Sequence, residues 1–399
     1  MTAAQGGRML ALIAIVGLAL NMRAVLSTVS PIAAAINEDI PLTTGSLALL
    51  GALPPIIFAA VGLLVPALAS WLGGTRLALV ALAAIALGNI GRGVAGDLSV
   101  LIGSSALALG GIGVANVLLP SLVKRYFPGR IVPVTAAAMA AMAIGTGVPA
   151  VVVNPLSETW GWNVALGVWG PFAIVAAVPW LLLLLRGRDS RDSLGGAAPT
   201  APTGMRRVAR SPLAWALLAA FTVAQWNIYA MFAWLPVVLV DIAAVTPQTA
   251  GIMLGIYAFM GLIVSLSLGA ISRRMSDPTP FIHVAVAAFL VGYGGLILVP
   301  TGAPWAWVVL AGIGPTIMHV CLMLVGLRSR TPEGAVALSS FMQSFGYALG
   351  AAGPIAFGAL HDASGRWDVP LAIMLLLALI GSVSAVALRR RRYVEDEWG

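Results

Sequence analysis

Along this chain, apolar runs of twenty to thirty residues alternate with short stretches that hold almost all of the charge. The runs fall at about 9–36, 46–70, 75–94, 98–123, 131–153, 163–185, 212–240, 247–271, 281–301, 304–327, 333–359 and 368–388. Roughly 20 apolar residues in a helix cross about 30 Å of hydrocarbon. The pattern therefore predicts an all-α integral membrane protein with twelve transmembrane helices. The first run is too long for the core of a secretory signal and holds a charge, so cleavage there is not expected. That charge is Arg23, fifteen residues from Arg8 and fifteen from Glu38. A helix through the run would hold Arg23 near mid-depth, where a cation costs about 2.5 to 3.5 kcal/mol on insertion scales.

Composition agrees with the pattern. Of 399 residues, 60% are hydrophobic and 9% charged, and the mean hydropathy is +0.99. A net charge of +8 would point to nucleic acid in a soluble protein. Here nineteen of the 22 Lys and Arg residues fall in alternate loops once the N-terminus is placed in the cytoplasm, with Arg92 and Arg366 outside and Arg23 within a run. This is the positive-inside bias. It puts both termini on the cytoplasmic side and excludes a nucleic-acid partner. The single cysteine, Cys321, lies in an apolar run, so no disulfide framework, metal-ligand cluster or cofactor is expected.

The longest polar stretch, 186–211, combines arginines with a Gly/Ala/Pro/Thr-rich run that cannot build a core. It is read as a cytoplasmic linker between a six-helix bundle at 1–185 and a second at 212–399 with a short cytoplasmic tail. The halves repeat. Gly111-Ile-Gly113 recurs as Gly312-Ile-Gly314, Pro31 as Pro236, Pro149 as Pro354, and Trp162-Asn-Val-Ala-Leu166 as Trp367-Asp-Val-Pro-Leu371. Parallel repeats of this kind are typical of two-bundle transporters.

Several blocks resemble the major facilitator superfamily, and within it the cyanate permease and 2-nitroimidazole transporter branch. They are Asn21-Met-Arg23 with Ser30-Pro31, the run from Gly111 to Pro128 leaving segment four, and Trp234-Leu-Pro236. Met342-Gln343 through Gly346-Tyr347 with Gly353-Pro354, and Arg366-Trp367, complete the set. The resemblance implies the major facilitator fold, two pseudo-symmetric six-helix bundles, with segments one, four, seven and ten around the solute path. One departure is Ser70-Trp-Leu-Gly-Gly-Thr-Arg76, where serine and tryptophan replace the charged pair usual in the loop after the second helix.

Polar residues within those segments are the candidate solute ligands. Arg23, Ser27 and Ser30 share a helical face, as do Thr222, Gln225 and Tyr229. Asn21, Asn116, His319, Gln343 and Tyr347 lie at similar depth. For the amides, His319 and the tyrosines, bridging between helices is an equally plain reading. Arg23 differs because all fourteen Asp and Glu residues fall in loops, segment ends or the tail. A planar guanidinium with five donors suits a carboxylate or another small anion.

The sequence thus predicts a multi-pass transporter of the inner (cytoplasmic) membrane, working as a monomer in the lipid bilayer. It would move a small anionic or small polar solute by alternating access, with Arg23 contacting the anion. The alternative keeps the fold but moves a neutral planar drug-like compound, such as a nitroimidazole, outward. An enzyme is disfavoured, since no intramembrane acid or nucleophile–base pair appears. A proton could ride on His319, or else no protein-borne proton or only a counter-substrate is involved, the second scheme being preferred. The tryptophans Trp160, Trp162, Trp305 and Trp367 at segment ends read as interface anchors.

Overall fold

In hydrocarbon the backbone has no water to bond, so each apolar run must satisfy its own N–H and C=O groups, and a helix does this within one segment. The computed structural model describes residues 3–127, 130–185, 207–271, 277–389 and 392–397. All twelve expected segments are helical there, and no strand occurs among the described residues. Among the described residues ten stretches are long and apolar enough to cross a membrane. The other two segments are the helices Pro247–Ile271 and Pro332–Gly350 followed by Ala352–Ser364. Most of the expected linker, residues 186–206, lies outside the described residues. The chain forms two compact units, Met1–Thr43 with Ala60–Gly196, and Thr44–Ala59 with Ala197–Gly399.

The first unit begins with a correction. Arg23 does not sit in an uninterrupted helix. Helix α1 (Ala3–Leu20) stops, residues 21–23 turn, and a short α2 (Ala24–Ser27) leads through a 3₁₀ turn (Ser30–Ile32) into α3 (Ala33–Asp39). Three local causes act together. The Asn21 amide donates to the Gly17 carbonyl at 2.8 Å, which competes with the backbone for that acceptor. Pro31 has no N–H to continue a helix. Gly145, on the facing helix, lets the Leu20 carbonyl come so close that an added Cβ would lie 2.9 Å from its carbon and nearer still to its oxygen. Backbone groups at the break bond in tighter turns, Asn21 N–H to the Leu18 carbonyl at 3.1 Å and Met22 N–H to the Ala19 carbonyl at 3.2 Å, and the Ser27 hydroxyl donates across to the Thr146 carbonyl at 2.9 Å.

Helices α4 (Thr44–Leu72), α5 (Gly74–Gly93), α6 (Leu98–Tyr126), α7 (Ile131–Trp160), α8 (Trp162–Gly167) and α9 (Trp169–Leu185) follow, α4 giving its first half to the second unit. The second unit holds α10 (Pro212–Ala243), α11 (Pro247–Ile271), α12 (Pro280–Leu298), α13 (Pro304–Ile313), α14 (Thr316–Leu327), α15 (Pro332–Gly350), α16 (Ala352–Ser364) and α17 (Asp368–Leu388). Large apolar side chains remain exposed along the spans, among them Leu87, Val175, Leu298 and Val383. On a soluble protein such a surface would drive association. In lipid it is the solvated face.

The sequence repeat becomes repeated geometry. Where α5 crosses α6, a Cβ on Gly88 would meet the Ala108 nitrogen at 2.5 Å and the Ser104 carbonyl at 2.6 Å. Where α12 crosses α13, a Cβ on Gly292 would meet the Ala311 nitrogen at 2.7 Å and the Trp307 carbonyl at 2.8 Å. Two of the four segment-end tryptophans are not interface anchors. Trp162 is buried and donates from Nε1 to Asp39 at 2.7 Å, and Trp367 is buried and donates to Asp241 at 2.8 Å. Each unit thus ties the far end of its first span to the start of its last. Trp160 and Trp305 are the exposed pair.

The tail packs onto the second unit. Val394 is fully buried, and its N–H donates to the Arg328 carbonyl at 2.9 Å. Glu395 accepts from the backbone N–H groups of Arg330 and Thr331, both at 3.0 Å, just before α15. Asp396 pairs with Arg330 at 2.9 Å. Glu397 accepts from the hydroxyl of Ser211, the N-cap of α10, and from the Leu213 N–H at 3.3 Å. One acidic turn therefore caps two helices that carry candidate solute ligands.

Candidate functional site

The eight sequence-derived candidates divide between the units. In the first, the backbone break places Arg23 at the start of α2, half-buried. Its guanidinium has no hydrogen-bond or ion-pair partner among the described residues. The Asn21 side chain donates to Gly17 of its own helix, at the break. Asn116 lies half-buried in α6, between Gly113 and Pro120, with no hydrogen bond among the described residues.

One residue in this unit escaped sequence reasoning. Arg92, expected in an outside loop, occupies the last turn of α5 and is fully buried. Its Nη1 donates to Asn89 Oδ1 at 3.1 Å and its Nη2 to Thr28 Oγ1 at 3.0 Å, while Nε has no partner among the described residues. Asn89 is itself buried and donates to the Ile85 carbonyl at 2.9 Å. The signal was present as an Asn and an Arg three apart at the end of an apolar run, one helical turn on a single face.

In the second unit three candidates come together. Gln225 is fully buried near the middle of α10, flanked one turn away on either side by Phe221 and Tyr229. The Tyr347 ring from α15 meets Phe221 edge-on at 5.4 Å and Tyr229 at 6.4 Å, and Phe58 of α4 meets Tyr347 at 6.3 Å. A Cβ on Gly350 would lie 2.7 Å from Gln225 Cβ, so this glycine allows α15 its approach. Among the described residues neither amide atom of Gln225 has a partner, and the Thr222 hydroxyl one turn back has none either. Each buried polar group left unmade costs about 1 to 3 kcal/mol. Gln343 does not join the cluster, since its Nε2 donates to Ser339 on its own helix at 2.7 Å. His319 is half-buried in α14.

Residues 9–354 match the family described as the Major Facilitator Superfamily. The chain is 30% identical to the 2-nitroimidazole transporter of Escherichia coli strain K12, over 98% of this chain and 99% of that one. It is 28% identical to the uncharacterized transporter YycB of Bacillus subtilis strain 168, covering 95% and 93%, and 28% identical to the cyanate transport protein CynX of Escherichia coli strain K12, covering 89% and 91%. Among solved structures it is similar to a bacterial homologue of the human lysosomal transporter Spinster, with a TM-score of 0.74, 16% identity, and coverage of 100% of this chain and 99% of that one.

Proposed function

We propose that this chain, which belongs to the Major Facilitator Superfamily, carries a small anionic or small polar solute across the inner (cytoplasmic) membrane by alternating access, with Arg23 as the anion ligand. That it is a multi-pass membrane transporter follows from the family and its relatives. The finer reading rests on one observation. Arg23 interrupts the first span, its fork has no protein partner among the described residues, and every carboxylate of the chain lies at a segment end, in a loop or in the tail. A guanidinium in that setting is completed by a carboxylate or another small oxyanion. Both termini are assigned to the cytoplasm from the arginine distribution, with 186–211 as linker between the halves and the monomer as working unit.

The test is uptake of a labelled anion panel into proteoliposomes. Arg23→Lys keeps the charge and loses the fork, so transport weakens; Arg23→Ala abolishes it in a protein that still folds. Normal transport by folded Arg23→Ala would place the anion elsewhere. A second reading, efflux of a neutral planar compound, is favoured by the rings of Phe58, Phe221, Tyr229 and Tyr347 around the unpartnered Gln225 amide, and by the relative that is a 2-nitroimidazole transporter. Its signature is accumulation of such a compound when the gene is deleted.

A further inference from the structure

Arg92 raises a problem of charge. Its side chain is fully enclosed, both its hydrogen-bond partners are neutral side chains, Nε has no partner, and no carboxylate pairs with it among the described residues. An arginine cannot discharge itself by losing a proton. A buried ion without a counter-charge is among the costliest features a fold can carry, so something must offset it.

Its position points to what that is. Arg92 grips Thr28, five residues beyond Arg23 on the same interrupted span. Five residues of helical rise amount to about 7.5 Å of backbone between Arg23 and Thr28, close enough for the two charges to act on each other. Two cations without carboxylate partners thus flank α2, one sealed and one half-open. We infer that Arg92 is a specificity-determining positioning residue. It never touches the solute, but it holds the segment after the break through Thr28 and raises the potential at Arg23, so the solute's negative charge serves both cations. This rests on the reading of Arg23 as the anion ligand. At a charge separation of roughly 10 Å and an effective dielectric of about 20, one added charge changes the affinity for a monoanion by about tenfold, and for a dianion by about a hundredfold.

Because the solute is unidentified, the first test needs none. In the full-length protein with Cys321→Ala, a single reporter thiol is introduced as Val29→Cys, beside Thr28 and half-buried, and its rates of modification by an anionic and a cationic methanethiosulfonate of similar size are compared. With Arg92 present the anionic reagent reacts faster. With Arg92→Gln the anionic rate falls and the cationic rate rises, each about tenfold, so the ratio moves by about a hundredfold; Arg92→Lys restores it. A merely structural role would slow or speed both reagents together. A ratio that stays within about twofold, or a thiol that the anionic reagent does not modify faster than the cationic one, overturns the inference. If Arg92→Gln is not recovered folded, Arg92→Lys decides: a retained anion preference supports it and a lost one refutes it. This ratio is independent of solute binding, so it fails separately from the anion reading. Transport abolished by Arg23→Ala beside an unmoved ratio sinks only the role of Arg92.

Discussion

Replacing Gly145 by alanine sets two physical effects against each other, and the structure says which wins. In an exposed helix interior, Gly→Ala gains roughly 1 kcal/mol of backbone entropy and propensity. At position 145 the new methyl would lie 2.9 Å from the Leu20 carbonyl carbon and 3.1 Å from its Cα, with the carbonyl oxygen closer still. Those atoms are backbone, so no side-chain rotation relieves the clash. Overpacking of this kind costs about 1 to 3 kcal/mol, and the cheapest relief is to push α7 away from the end of α1. Net destabilisation should be about 1 kcal/mol. Transport should suffer more, because the displaced atoms immediately precede the turn that sets Arg23. The assays are the thermal midpoint of the purified protein in detergent and initial uptake rates at saturating and limiting solute. A Gly145→Ala protein that melts higher than wild type and transports normally would refute the argument that this close approach shapes the break.

Three further outcomes are expected. Burial pushes the Glu395 carboxyl up, but the bonds from the Arg330 and Thr331 amides and the Thr331 hydroxyl outweigh it and hold the group below the usual carboxylate range. With a depressed native value, its stabilisation is fully present above the unfolded range near 4.3 and lost as pH falls through the native value. The advantage of wild type over Glu395→Gln, about 1 kcal/mol at neutral pH, should therefore vanish in acid denaturation curves; an advantage that grows on acidification contradicts it. Trp162→Phe and Trp367→Phe each remove one charge-assisted hydrogen bond and should each cost about 1.5 to 3 kcal/mol, adding together in the double variant. Denaturant midpoints that move for only one of them would show that the two pairs are not equivalent. With an imposed pH gradient in proteoliposomes, His319→Gln should accumulate solute as wild type does. Accumulation lost only in the mutant would make His319 the proton carrier.

The twelve segments were legible because hydrophobic length is a property of the chain alone. So was the repeat, which reappears as paired glycine crossings at Gly88 and Gly292 and paired tryptophan–aspartate bonds. The interruption at residues 21–23 was not, because Asn21 and Pro31 also fit within a continuous span, and the close approach at Gly145 comes from more than a hundred residues away in sequence. Arg92 was misjudged for a related reason. Counting charges near segment ends treats a terminal arginine as solvated, whereas its enclosure by Thr28 and Asn89 is tertiary. Gln225, Tyr229 and Tyr347, picked out from stripes and depth, lie together in the second unit. Gln343, on the same depth argument, turned out to bond its own helix.

The acidic turn at 394–397 also carries a consequence for the order of events during biosynthesis. Glu397 reaches Ser211, a residue made 186 positions earlier. Helix α10, which holds the partnerless Gln225, is thus threaded into the bilayer with its entry amides lacking that carboxylate. They receive it only after the seven helices that follow have been synthesised. Until then the second half holds together through the packing of its helices, and the turn adds its caps to α10 and α15 as the last act of synthesis.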